Sequence, residues 1–222
     1  MQEKAYLKSR LRHLGVSVPA VRALAARVAK AHPDLDHDSL LLLAGALWKR
    51  PVHECRALAA FLLERFATRL EPADLVATLE PMLRQSKTWA LVDQLSTDVI
   101  CVVVAAHPAK VSATLDRWSK DEDFWIRRAS MLVLLRPLRA GAGDWKRFTR
   151  YADAMLDESE FFIRKAIGWI LRDASRRSPE RVYRWLAPRA ARASGVTMRE
   201  AVKYLTPAQR RTLLARRAEA KR

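Results

Sequence analysis

The fold is decided by a pattern that occurs twice, as Asp121-Glu-Asp-Phe-Trp-Ile-Arg-Arg-Ala-Ser130 and as Asp157-Glu-Ser-Glu-Phe-Phe-Ile-Arg-Lys-Ala-Ile167. The first phenylalanines of the two stretches lie 37 residues apart, and a step of 36 residues back from Trp125 leads to Trp89 at the start of another apolar segment. A period in the high thirties with two helices per unit is typical of HEAT-like repeats. The pattern predicts an all-α, right-handed superhelix of antiparallel helical pairs with a concave binding face.

The individual helices follow from the spacing of apolar residues and from the residues that interrupt it. Glycine is scarce, at six residues, and apolar residues recur at intervals of three and four between breaks that contain proline or glycine. Such spacing favours helix. The predicted helices span residues 4–13, 19–31, 37–47, 52–67, 72–84, 88–105, 109–118, 123–137, 145–155, 160–175, 179–191, 197–204 and 207–218. We expect them to form one domain over residues 1–222.

Positive charge is concentrated at the two ends of the chain. The 41 Lys and Arg against 24 Asp and Glu give a formal charge of +17, divided as +6 over residues 1–30, zero over 31–170 and +11 over 171–222. Basic residues within patterned helices are typical of a surface that binds the phosphates of a nucleic acid. We therefore expect a nucleic-acid partner rather than a membrane. For Arg210–Arg222, within the basic tail of about residues 207–222, a solvated and irregular end is an equally good interpretation.

The sequence also excludes several classes of protein. It contains no GxGxxG and no GxxxxGK[ST] motif, so no loop that binds a nucleotide cofactor is expected. Cys55 and Cys101 lack the spacing of metal ligands, which argues against a zinc site and against a disulfide framework. No membrane span and no secretory signal are predicted. The expectation is a reduced, cytoplasmic, monomeric protein without metal or cofactor.

Three predicted helices place a tryptophan and a charge on one face, at a spacing of three or four residues: Trp89 with Asp93, Trp125 with Arg128, and Trp169 with Arg172. For any one pair, packing of the tryptophan in the core is the competing interpretation, and it is strongest for Trp125. Asp93 stands out because an aspartate in the middle of an apolar helix is unfavourable unless it has a partner or a function. Gly168 weakens its helix unless a neighbouring element must approach closely.

These motifs resemble one known family. The resemblance runs from about Ala5 to Leu205 and is carried by the following segments: Ala5-Tyr-Leu-Lys8, Leu14-Gly-Val16 with Pro19, Leu47-Trp48 with Pro51 and Glu54, Ser86-Lys-Thr-Trp-Ala-Leu-Val-Asp93, Phe124-Trp-Ile-Arg-Arg-Ala129, Glu160-Phe-Phe-Ile-Arg-Lys-Ala-Ile-Gly-Trp-Ile-Leu-Arg172 and Met198-Arg-Glu-Ala-Val-Lys-Tyr-Leu205. The chain resembles the AlkD-like family of HEAT-repeat alkylpurine DNA glycosylases, and the Phe-Phe-Ile-x-Lys-Ala-Ile-Gly-Trp block is its most specific segment.

The resemblance implies a role for each matching residue. Asp93 corresponds to the catalytic carboxylate, and Trp89 and Trp169 to the aromatic walls of a cleft for the damaged nucleotide. The DNA-contacting positions are Tyr6, Arg128 and Arg172, with Lys87 and Lys165 as further candidates within the same motifs. Two departures concern the entrance of this cleft: Thr88 stands where the family often has a second tryptophan, and an amino-terminal helix of some members is missing or shortened.

The implied function is hydrolysis of the glycosidic bond of cationic N3- or N7-alkylated purines in double-stranded DNA, without lyase activity because no lysine takes the place of Asp93. An open cleft that contacts the backbone rather than enclosing the base could also accept bulky adducts of alkylating natural products, in a self-resistance role. Two alternatives stay open: a non-catalytic DNA-binding HEAT protein, against which Asp93 argues, and a protein-interaction scaffold, against which the basic carboxyl-terminal region argues.

Overall fold

The computed structural model describes Leu7 and residues 9–220, and in this part of the chain the regular structure is helical throughout, with no β-strand. The all-α prediction is confirmed. Contacts between Cα atoms divide the chain into two compact units, Met1–Trp118 and Ser119–Arg222. They are called the amino-terminal unit and the carboxyl-terminal unit below.

The amino-terminal unit contains seven described α-helices and two π-helical segments. The α-helices are α1 (Val18–Ala31), α2 (His37–Trp48), α3 (His53–Arg65), α4 (Glu80–Ser86), α5 (Trp89–Gln94), α6 (Cys101–Ala106) and α7 (Ser112–Trp118), with π-helical turns at Leu75–Leu79 and Leu95–Ile100 and a 3₁₀ turn at Ala67–Arg69. Helix α3 packs against α1, α2 and α5. Its core contacts with α1 join Phe61 and Leu62 to Val21 and Ala25.

The predicted helix over residues 4–13 is wrong over its second half, because Leu7 is helical but residues 9–13 are not. Arg12 instead forms a parallel bridge with Val52, in which its N–H donates to the Pro51 carbonyl at 2.9 Å and its carbonyl accepts from His53 N–H at 2.8 Å. Glu54 Oε1 then accepts from the N–H groups of residues 14 and 15, both at 2.8 Å. These tertiary partners satisfy the backbone polar groups that a helix would otherwise pair within itself.

A buried carboxylate joins two helices of the same unit. Glu80 accepts hydrogen bonds from Trp118 Nε1 at 2.7 Å, from Arg84 at 2.7 Å, and from Arg117 at 2.5 and 3.0 Å. The bonds to Arg117 and the other donors outweigh burial and lower the pKa of Glu80 to about 2. Glu80 therefore stays charged and ties α4 to α7.

The segment Trp89–Ala106 is helical along its whole length, as α5, a π-helical segment and α6. Its mean hydropathy of 1.6 over 18 residues makes it long and apolar enough to cross a membrane, and 61% of it is buried within the protein. A mostly buried core helix can have the same length and composition, and Asp93 and Asp98 lie within this segment.

The carboxyl-terminal unit continues the alternation of helices: α8 (Phe124–Leu132), α9 (Leu135–Arg139), α10 (Trp145–Ala154), α11 (Phe161–Ser175), α12 (Pro179–Leu186), a 3₁₀ turn at Ala187–Arg189, α13 (Gly195–Ala201) and α14 (Pro207–Glu219). The repeated motif lies as predicted at the start of α8 and of α11. An acidic N-cap precedes each: the side chain of Asp123 accepts from the Trp125 N–H, and that of Glu160 accepts from the Phe162 N–H. The basic tail is a capped helix up to residue 219 rather than an irregular end.

Helix α11 is the centre of this unit and packs against α8, α9, α12 and α13. Gly168 allows the approach of α13, because a Cβ atom at this position would lie 2.9 Å from Glu200 Cβ and 3.0 Å from the Thr197 carbonyl oxygen. The close approach that the sequence predicted at Gly168 is confirmed. It brings the Glu200 side chain against the surface of α11.

Candidate active site and nucleic-acid interface

Trp89 and Asp93 lie on one face of α5 and are both half-buried. They are the first and fifth residues of this helix, so one helical turn brings their side chains together. The helix continues directly into the π-helical segment Leu95–Ile100. Segments of π-helix often occur at functional sites, since the extra residue per turn changes the direction of side chains.

The chain enters α5 through an unusual backbone conformation. Lys87 is exposed and has a φ of 47° and a ψ of 20°, which makes it the one non-glycine residue with positive φ in the described part of the chain. Such a conformation is unfavourable for a residue with a Cβ atom, and strain of this kind often marks functional sites. Thr88 is buried and donates to the Leu7 carbonyl at 3.2 Å. This hydrogen bond anchors the segment before α1 to the start of α5.

A cavity of about 270 Å³ lies beside Trp89 in the amino-terminal unit. Its walls come from the segment before α1, from α1, α3 and α5, and include the apolar side chains of Leu7, Val18 and Phe61. Its polar side is a network in which Arg22 donates to Glu64 at 3.0 Å and lies over the Phe61 ring at 4.3 Å. The cavity offers an apolar surface with a fixed polar edge next to the candidate aromatic residue.

Trp169 lies on α11 in the carboxyl-terminal unit, within a network centred on a buried aspartate. Its indole Nε1 donates to Asp173 Oδ2 at 3.1 Å. Arg139 donates to the same oxygen at 2.5 and 2.8 Å, and Arg172 Nε donates to Oδ1 at 3.0 Å. Asp173 is only 3% exposed, so these contacts fix the orientation of the half-buried Trp169 and Arg172.

A second carboxylate holds the basic residues on the same face of α11. Glu200 Oε1 accepts from Lys165 at 2.7 Å, and Glu200 Oε2 accepts from Arg172 at 2.5 Å and from Lys203 at 3.0 Å. Burial alone would raise the pKa of Glu200, but the hydrogen bonds from the three cations outweigh it and lower the pKa to about 2. Glu200, which was not predicted from the sequence, thus brings the predicted residues Lys165 and Arg172 together.

Arg128 has a different environment from the other predicted DNA contacts. Its side chain is 2% exposed, it donates to the Phe162 carbonyl oxygen, and its guanidinium lies 5.8 Å from the centre of the Phe162 ring. Trp125 is buried as well, 4.8 Å from the same ring, which agrees with its interpretation as a core residue. A contact of Arg128 with DNA remains a prediction, and it would require the guanidinium to leave this carbonyl.

Tyr6, the remaining predicted contact, lies outside the described residues. The residues that the sequence analysis missed are Asp173 and Glu200. Asp173 could have been found, since it lies four residues after Trp169 on the same helix. Glu200 could not, because its partners Lys165 and Arg172 are 35 and 28 residues away along the chain.

Comparisons with known proteins agree with the motif resemblance. The model of a family described as DNA alkylation repair enzyme matches residues 1–205. No curated protein matches the chain in sequence.

Solved structures share the fold. A protein described as a predicted DNA alkylation repair enzyme from Enterococcus faecalis superposes with a TM-score of 0.81 at 24% identity, over 93% of this chain and 94% of that one. AlkD2 from Streptococcus mutans gives 0.66 at 17% identity, over 92% and 98% of the two chains. The protein smu.31 from Streptococcus mutans UA159 gives 0.62 at 17% identity, over 84% and 100%. At these identities the likeness establishes the fold alone.

Proposed function

The chain belongs to the family of DNA alkylation repair enzymes, and from this premise we propose that it is a DNA glycosylase that removes N3- or N7-alkylated purines from double-stranded DNA. The observation that carries the proposal is the pairing of Trp89 with Asp93 on one face of α5, in a motif that matches the family. Trp169 and its anchored neighbours on α11 support the DNA-binding part.

The proposed reaction needs little activation of its leaving group. A purine alkylated at N3 or N7 carries a positive charge, and when the bond from its nitrogen to C1′ of the deoxyribose breaks, both electrons of the bond go to the base and neutralise it. The positive charge passes to the sugar, as in the oxocarbenium-like state of glycoside hydrolysis. Water adds to C1′ and loses a proton, which leaves an abasic site and the free base.

Asp93 is the residue proposed to stabilise the sugar cation. A carboxylate about 4 Å from a positive charge contributes up to roughly 4 kcal/mol at an effective dielectric constant of 20. On the motif resemblance, the indole faces of Trp89 and Trp169 are proposed to contribute about 0.5–2 kcal/mol each through cation–π attraction. Because these interactions exist only as charge develops on the sugar, they lower the barrier rather than merely strengthen binding.

The remaining predicted residues are proposed to bind the DNA backbone. Lys165, Arg172 and Lys87 are basic and partly or fully exposed, so phosphates can reach them. Tyr6 and Arg128 are retained as proposed contacts on the motif resemblance. The basic helix α14 extends the positive surface of the carboxyl-terminal unit.

The size of the accepted adduct is a finer proposal, favoured by the cavity of about 270 Å³ beside Trp89. Its apolar wall offers room for a substituent larger than methyl, which supports activity on bulky N3 or N7 adducts. Excision of a bulky adduct at a rate at least equal to that of N3-methyladenine is expected. A rate far below that of the methyl lesion would argue against this substrate class.

The proposed function is tested by incubating the protein with duplex DNA that carries N7-methylguanine or N3-methyladenine. We expect release of the free base and one heat-labile abasic site per lesion, with no strand cleavage before heating. Duplex binding without base release from several such lesions would instead favour the non-catalytic DNA-binding alternative. The scaffold alternative requires that neither DNA binding nor base release is observed.

A further inference from the structure

Glu200 occupies a position that the packing of α13 against α11 creates. Glu200 is 7% exposed. Its Cβ atom lies 2.9 Å from the place that a Cβ atom at position 168 would take. A carboxylate loses hydration when it is buried, and this cost is met only by hydrogen bonds of good geometry. Glu200 receives three such bonds, from Lys165, Arg172 and Lys203.

The cations bound by Glu200 keep most of their hydrogen-bonding capacity. Lys165 and Lys203 are 42% and 50% exposed, and each ammonium group, which has three donors, gives one of them to Glu200. Arg172 donates a hydrogen bond from Nε to Asp173 and one from Nη1 to Glu200. Its Nη2 donates no hydrogen bond to the described part of the chain. Three cations share one carboxylate, so the cluster keeps an excess of positive charge at the surface.

The lysine ends of these ion pairs are exposed, and side-chain entropy and solvent screening weaken what such ends contribute to folding. The cluster is well suited to bind an anion that accepts several hydrogen bonds at once. A phosphodiester has two unesterified oxygens with one shared negative charge, and it gains from donors that are already oriented.

We propose that Lys165, Arg172 and Lys203 form one phosphate-binding site for the DNA backbone, and that Glu200 is its positioning residue. The buried carboxylate holds the three flexible side chains in a fixed array, so that binding costs less conformational entropy. The assignment adds Lys203 as a DNA contact and gives Glu200 a function in binding. It rests on the proposed function only in taking duplex DNA as the ligand.

The test measures the affinity of the full-length protein for a lesion-free duplex. Glu200→Gln removes one negative charge and so raises the net charge of the protein by one, which by itself would strengthen attraction to phosphate. The positioning role predicts the opposite: affinity falls about tenfold and the slope of log affinity against log salt becomes shallower by about 1, because one phosphate contact is lost. Glu219→Gln, at an exposed position of the same unit, is the control with the same change in charge and is expected to leave affinity unchanged or slightly raised.

A double-mutant cycle shows whether Glu200 acts through the cations. Lys203→Ala is expected to weaken binding about fivefold in the wild-type background and by less than twofold in the Glu200→Gln background. Glu200→Asp, which keeps the charge on a shorter side chain, is expected to give intermediate affinity and serves in the cycle if the glutamine variant does not fold.

Two outcomes would overturn the assignment. Equal or tighter binding by folded Glu200→Gln would show that the carboxylate acts as a repulsive charge, and equal effects of Lys203→Ala in both backgrounds would show that the two residues are independent. These results would leave the proposed glycosylase function intact. A wild-type protein that does not bind duplex DNA at all would overturn both.

Discussion

At the scale of single residues, Lys87 combines an unfavourable backbone with a charge beside the candidate active site. Its φ of 47° is one that glycine adopts without cost. Lys87→Gly is therefore expected to raise the free energy of unfolding by about 1 kcal/mol, while removal of the charge weakens binding to duplex DNA. Urea denaturation and a binding isotherm on the same preparation measure the two effects.

Lys87→Ala is the matched control for this prediction. It removes the same charge but keeps the Cβ atom, so DNA affinity is expected to fall as in the glycine variant with little change in stability. If both variants bind DNA as the wild type does, Lys87 is a structural cap of α4 and has no part in binding.

Contacts between residues of one helix were predictable from the sequence, and contacts between different helices were not. The i to i+4 spacing correctly places Trp89 with Asp93 and could have indicated Asp173 beside Trp169, because neighbours within a helix follow from its periodicity. The burial of Arg128 against the Phe162 carbonyl could not be predicted, since it depends on how α8 and α11 pack. A sequence motif specifies which residue occupies a position, but it does not specify which residues of other helices that side chain contacts.

At the scale of the helices, the contact between α11 and α13 depends on the absence of a side chain at Gly168. Gly168→Ala gains helix propensity, worth about 1 kcal/mol, but its Cβ would lie 2.9–3.1 Å from atoms of Glu200 and Thr197. We expect a net destabilisation of about 1–3 kcal/mol, since α13 must shift. DNA affinity is expected to fall as well, because the shift displaces Glu200.

Gly45 provides the control within the same protein. It lies inside α2, and a Cβ atom there would meet nothing within 4 Å. Gly45→Ala is therefore expected to stabilise the protein by about 0.5–1 kcal/mol. Opposite signs of the two changes in thermal unfolding support the packing argument, whereas stabilisation by both would remove the steric role of Gly168.

The helices were largely predictable because glycine and proline separate them and acidic residues cap them, as Asp123 and Glu160 do. Two features escaped prediction for a physical reason. The π-helical turns carry no residue signature of their own. Residues 9–13, predicted as helix, are held instead in the segment that pairs with Pro51, His53 and Glu54, more than 35 residues away.

At the scale of the whole molecule, the excess of positive charge at the two ends of the chain sets the response to salt. If six to ten phosphates are contacted, affinity for duplex DNA is expected to fall by about 10³–10⁵ between 50 and 200 mM salt. Replacement of both Arg210 and Arg211 on α14 by glutamine is expected to make the slope shallower by about 2. Lys110 and Lys120 are exposed residues of the neutral middle segment, and their replacement by glutamine is expected to change the salt slope less. Equal changes in slope for the two double variants would mean that α14 makes no specific contact with DNA.

The central claim is that Asp93 lowers the barrier to base release, and Asp93→Asn tests it most directly because it keeps the shape of the side chain and removes its charge. Single-turnover excision of N7-methylguanine from a saturating duplex is measured beside a binding isotherm and a thermal melt. We expect excision to slow by about 10²–10³, consistent with a loss of up to roughly 4 kcal/mol, while DNA affinity stays the same or rises and the melting temperature changes little. Unchanged excision by a folded Asp93→Asn protein would contradict the account.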